Sequence, residues 1–393
     1  MAPDLALYAE LLSNIRQVTL AASLPSPSDA STRVTLAANG TAVELAHQGA
    51  TQRLTLPAKA SLGAVNLPLP KQPAATLSWR LALSPGILPH TQSSEQSTAL
   101  WSATDLEDTP WVSCRACKAS VVNARSLVWK DLPSENWAEM MEFWHCHKPD
   151  GHHHHENGHG GTGKADESSL AARGYGASSA ISSQKGIGFV DLTTLLFHET
   201  DCSGITYSCS TFENGSLNRH DLMETQSRSL NVFCSSCQSQ LGFYNFRTVA
   251  VTLLKWQVSC EAKSGAVPGT PECLAATLIS TIARSASSKS LITPFADNRN
   301  ESDQVIHIWV LNSSIIYSSS AVTDAVPAIK LLYRLIRREE ADRMLGDLNC
   351  DSQEINLPLE AINGVVSHLD AANLLLPSTE RSMKGWKVGL LAR

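Results

Sequence analysis

The sequence predicts a β-rich α+β protein, with an N-terminal antiparallel sheet lobe packed on a central and C-terminal α+β lobe. Three observations lead there. Short β-prone runs alternate with Pro, Gly, Ser and Asn from Val18 to Ser84. Two Cys-x-x-Cys pairs, Cys114/Cys117 and Cys234/Cys237, sit between strand-like segments, and helix signals are confined to the chain after Pro133.

The chain has 393 residues, of which 43% are hydrophobic and 17% charged, against about 25% charged in a typical globular domain. Such a chain can bury a large core, and its length suits two coupled lobes. The net charge of -6 offers no basic footprint for a phosphate backbone, so nucleic acid is not expected as a direct partner. Asp4 and Glu10 interrupt the first apolar stretch without a basic lead, which argues against a secretory signal and for an intracellular protein. Apolar runs such as Val249 to Leu254 fall far short of the ~20 residues that cross a bilayer. No membrane association is expected.

Taken in order, residues 1–105 read as the N-terminal β-rich lobe, in runs such as RVTLAA, AVELA and TLSWRLAL. Residues 106–147 hold the first Cys pair at a hairpin tip, with strands on either side. They continue into a helix beginning near Ser134, where Trp137, Met140, Met141 and Trp144 share a face. Residues 148–187 are rich in Gly, Ser and His, with no apolar period that a core could use, and read as a loop. Residues 188–393 carry strands around the second Cys pair and then a mixed C-terminal region. There IHIWVLNSSIIYSS reads as paired strands, while Ile329, Leu332, Tyr333, Leu335 and Ile336 stand at helical spacing.

The two Cys pairs carry the strongest chemical signal. A two-residue gap lets both thiolates of a knuckle point inward, and two facing knuckles supply the tetrahedral sulfur shell that zinc prefers. Cys114, Cys117, Cys234 and Cys237 are therefore candidate ligands of a structural zinc tying distant segments together; the alternative is two buried or redox-active pairs. Trp144-His145-Cys146-His147 offers soft ligands too, although adjacent positions cannot all reach one ion without irregular backbone. A helix end with a core Trp is the competing reading. Cys202 and Cys209, near His198 and His220, fit no zinc spacing and read as buried small hydrophobes. Gly158 to Ala165 lacks both the hydroxyl and the preceding strand of a phosphate-binding loop. Cys350, between Asp347 and Asp351, is the candidate thiol nucleophile of the C-terminal region.

The run LPSENWAEMMEFWHCHKP at Leu132 to Pro149, with CRAC before it, CSSC after it and GWKVGLL at Gly385 to Leu391, resembles the HECT-like ubiquitin-conjugating-enzyme-binding family. The resemblance implies a ubiquitin-protein ligase that binds a ubiquitin-conjugating enzyme, ubiquitin and a cyclin and promotes its own mono- and polyubiquitination. It also implies a tie to pre-mRNA cleavage and polyadenylation. In that alternative role the chain stabilises the cleavage endonuclease without catalysis, with Cys146 reaching that enzyme's metal and His147 assisting. Trp137, Trp144, Cys146 and His147 then form the partner-binding segment, the four knuckle cysteines hold zinc, and the expected location is cytoplasm and nucleus. GWKVGLL contains no cysteine, so a transthiolation acceptor falls to Cys350.

Overall fold

The computed structural model describes residues 5–61, 65–84, 100–132, 182–208, 229–246, 248–265, 267–294, 303–347 and 350–393. The chain divides into two compact units, one made of Met1–Thr98 with Thr270–Arg393 and the other of Ala99–Gly269. The fold is β-rich α+β, as the alternating runs predict.

In the first unit, strand Ala6–Leu12 pairs antiparallel with Gln304–Ser319, so both ends of the chain enter one nine-stranded sheet. Its path runs Ser382–Met383, Trp386–Ala392, Val322–Arg337, Gln304–Ser319, Ala6–Leu12, Gln17–Ser23, Thr76–Ala82. Lys289–Pro294 joins Gln304–Ser319 and takes Ser352–Leu357 as a parallel neighbour. The expected N-terminal lobe is therefore not a separate sheet, because its first strand finds its hydrogen bonds on a C-terminal one. A second sheet, built from Arg33–Leu36, Ala42–His47, Ala50–Thr55 and Val65–Asn66, shares a core with the N-terminal strands. Leu7, Leu11, Leu20, Val34, Leu36 and Leu45 are all buried in it.

The segment read as two strands, Gln304–Ser319, is one long strand with three register shifts along its pairing with Val322–Arg337. The expected helix around Ile329 to Ile336 is instead the second of these strands, and helix begins only at Arg338–Gly346. Glu339 and Glu340 in the first turn favour that start, since carboxylates suit the positive end of a helix. Helices Thr270–Ser285 and Leu359–Asn373 cover strand Trp386–Ala392, the second burying Ala361, Ile362, Val365 and Leu369 along one stripe. Gly389 permits that closeness. A Cβ there would stand 2.7 Å from Leu369 Cδ2.

His307 lies in the same sheet, 4% exposed, with its ring 4.7 Å from Trp386 and the Arg334 guanidinium 4.6 Å over that indole. Burial, then the Arg334 and Lys289 charges, hold the imidazole down at about 4. Unfolded, it titrates near 6.5, so between these values the unfolded chain binds a proton that the folded one refuses. Stability should fall as pH drops through that window. Urea midpoints measured across it should show a slope that His307→Phe flattens; an equal slope in the variant would refute the assignment.

The second unit has a seven-stranded sheet in the order Val128–Asp131, Ile187–Val190, Thr194–His198, Ala250–Leu254, Gln240–Asn245, Ser229–Cys234, Ile205–Ser208. A three-stranded sheet of Val258–Ser259, Trp111–Cys114 and Ser120–Asn123 accompanies it. Buried Lys255 donates to the carbonyls of Leu100, Trp101 and Leu192, using all three ammonium hydrogens. Among the described residues no helix is long and apolar enough to cross a membrane.

Candidate metal centre

Two hairpins of the Ala99–Gly269 unit bring the four knuckle cysteines together, and their backbones follow the same plan. In the first, Cys114 N–H donates to Ala119 O (2.8 Å) and Lys118 N–H to Cys114 O (2.9 Å). The second repeats this with Cys234 N–H to Ser239 O (2.9 Å) and Gln238 N–H to Cys234 O (2.8 Å). Lys118 and Gln238 both take left-handed backbone, at φ 63° and 60°, which turns each chain back after its second cysteine. That conformation is uncommon outside glycine.

The four Sγ atoms all lie within 4.8 Å of one another. Cys114 and Cys237 Sγ are 3.7 Å apart, and Cys117 and Cys234 Sγ 3.6 Å. Disulfide sulfurs would be bonded at about 2.05 Å, whereas sulfurs around one tetrahedral zinc stand about 3.8 Å apart for bonds of ~2.3 Å. The spacing suits one metal ion shared by all four. Cys114 and Cys234 are buried, while Cys117 and Cys237 are exposed. Burial pushes the Cys114 thiol up to about 12, and the Ser239 hydroxyl and N–H hold Cys237 down at about 6.

Two straps hold the hairpins in place. Residues 202–205 bridge them: Cys202 pairs with Val122, Ser203 N–H donates to Val121 O (2.9 Å), and Ser235 N–H donates to Gly204 O (2.9 Å). Gly204 is at φ 61°, and a Cβ would stand 3.1 Å from Ser120 O, so a side chain there would be both strained and crowded. The second strap is Val258–Ser259, paired with the first hairpin, where Arg115 donates from its guanidinium to the carbonyls of Lys255 and Val258. Neither Arg115 nor Gly204 stands out in the sequence, since their partners lie far along the chain. Half-buried Cys202 has its thiol pushed up to about 12, first by burial, which makes it an inert packing residue.

The four-cysteine group gathers distant segments, but within one unit. Residues 270–393, expected to share a zinc-tied lobe with the central segment, belong to the other unit with the N-terminal strands. Cys350 lies there, half-buried, two residues before strand Ser352–Leu357. Ser352 N–H reaches its sulfur at 3.4 Å, and the neighbouring Asp351 is paired with Lys289 at 2.7 Å. Trp137, Trp144, Cys146 and His147 lie outside the described residues, as do the Ser134 helix, Cys209 and His220.

As a class, a β-rich protein whose paired Cys-x-x-Cys hairpins face one another is one with a four-thiolate group able to hold a metal ion. Comparison with known families is more specific: residues 10–388 match the profile described as HECT-like Ubiquitin-conjugating enzyme (E2)-binding. The chain belongs to this family. It is 23% identical over 286 residues to an uncharacterized protein of Saccharomyces cerevisiae, covering 70% of this chain and 67% of the relative. It is also 38% identical over 58 residues to an uncharacterized protein of Schizosaccharomyces pombe, covering 14% of this chain and 17% of that one. No solved structure matches.

Proposed function

We propose that this chain binds a ubiquitin-conjugating enzyme and promotes ubiquitin transfer to itself and to other proteins, with a zinc ion held by Cys114, Cys117, Cys234 and Cys237 as a brace. The single observation that carries the partner is the family match, which extends over residues 10–388. For the metal, the support is the sulfur geometry and the donor set, since four thiolates suit zinc and close its tetrahedral shell. A closed shell supplies structure and fixes the hairpins. Ubiquitin transfer is then a matter for other residues of this chain.

The test is direct. Metal-loaded protein on a surface should retain a ubiquitin-conjugating enzyme and, with activating enzyme, ubiquitin and ATP, should acquire ubiquitin adducts. Cys350→Ser should remove any adduct that reductant releases if Cys350 is the acceptor. Folded, metal-loaded protein that retains no conjugating enzyme of a representative panel would defeat this reading.

A further inference from the structure

A second constellation lies in the first unit, in the loop that follows strand Gln17–Ser23. Ser26 Oγ is 2.9 Å from His47 Nε2, and Thr32 Oγ1 is 2.8 Å from His47 Nδ1. Thr32 Oγ1 accepts from Asp29 N–H (2.9 Å) and donates to Asp29 Oδ1 (3.4 Å), and Asp29 Oδ1 is itself 4.0 Å from Nδ1. In the tautomer whose Nδ1–H donates to Thr32 Oγ1, the Nε2 lone pair faces Ser26. Gln48 completes the ring, its amide donating to Ser26 Oγ and to Asp29 Oδ2, both at 3.0 Å. In that tautomer the Ser26 hydroxyl donates to Nε2 while its oxygen accepts from Gln48. His47 is 1% exposed, whereas Ser26 is half-buried at the surface. A hydroxyl on a base, with the base oriented by a third group, is the arrangement that activates a nucleophile.

We propose that Ser26 is an activated acyl acceptor that takes acyl groups from thioesters, with His47 as its general base and Thr32 and Asp29 as positioning residues. The donor rests on the reading given above, since a charged ubiquitin-conjugating enzyme carries a thioester. Ser26 Oγ attacks the thioester carbonyl as its proton passes to His47 Nε2. The new C–O bond forms, the C–S bond breaks, and the sulfur leaves as thiolate, which takes the proton from His47. The product is an oxygen ester on Ser26, and no oxidant or reductant enters.

The test uses the full chain with activating enzyme, charged conjugating enzyme and ubiquitin. Expected is an adduct that resists dithiothreitol, is released by hydroxylamine and maps to Ser26 by mass spectrometry. It should be absent from Ser26→Ala and form about a hundredfold more slowly in His47→Gln, with both variants checked for unchanged melting. A fluorophosphonate probe, which needs no conjugating enzyme, should label Ser26 of the unmodified chain. Failure of that labelling overturns the proposal, as do adducts that are only reducible or only hydroxylamine-resistant. Capture of the conjugating enzyme, read separately, tells whether the reading it rests on has failed instead.

Discussion

Removing the metal, by chelator or by Cys234→Ser, is expected to unfold the Ala99–Gly269 unit. Apparent binding energies of structural zinc in small thiolate sites are about 10–16 kcal/mol, as large as the whole stability of a typical domain, about 5–15 kcal/mol. An ion shared by the four sulfurs would join hairpins whose Cys117 and Cys234 stand 117 residues apart in the chain, and the strap at 202–205 depends on both hairpins at once. Without an ion, buried Cys114 is left with a neutral thiol, and the four sulfurs no longer link one hairpin to the other. One zinc per chain should be found by elemental analysis. Amide exchange in strands Trp111–Cys114, Ser120–Asn123 and Ser229–Cys234 should accelerate on chelation, while strands such as Gln304–Ser319 of the other unit keep their protection. Unchanged exchange in metal-free protein would show that the thiols do not hold the unit together. Cys350→Ser, outside the centre, should leave zinc content at one per chain.

The metal centre was readable because its signal is local: a two-residue gap imposes the knuckle, and two knuckles imply one another. The strands of the N-terminal half were readable for a similar reason, since runs such as Arg33–Leu36 alternate buried and exposed residues. Alternation fails in Val322–Arg337. Leu331 and Tyr333 are buried on one side and Leu332 and Ile336 on the other, because this strand is central and covered on both faces. Its apolar positions then fall at helical spacing by coincidence, and composition cannot separate a doubly covered strand from a helix. The division into units was hidden for a different reason. Pairing of Ala6–Leu12 with Gln304–Ser319 depends on hydrogen bonds between segments about three hundred residues apart, which no local pattern reports. The Ser26 constellation was missed likewise, since Thr32 and His47 meet only once strand Arg33–Leu36 pairs with Ala42–His47.

That long-range closure predicts the second large effect. Glu10, 4% exposed, accepts from Lys330 Nζ at 2.7 Å and from the Tyr8 hydroxyl at 2.9 Å. Lys330 sits on Val322–Arg337 and Glu10 on Ala6–Leu12, so the ammonium reaches across the intervening strand Gln304–Ser319. Lys330→Met keeps the apolar stem but strands the carboxylate in a site that water does not reach. Breaking a buried ion pair from one side costs about 3–5 kcal/mol, and for a unit of this size that lowers the melting temperature by about 6–20 °C. Replacing both partners removes the stranded charge together with its counter-ion, so Glu10→Leu with Lys330→Met should recover most of the loss. A double-mutant cycle by calorimetry on metal-loaded protein decides it. Recovery would show that the pair selects which strands meet more than it adds net stability, whereas additive losses would mean that Glu10 and Lys330 act independently of each other, the first through the Tyr8 hydroxyl and the second through the Tyr8 ring.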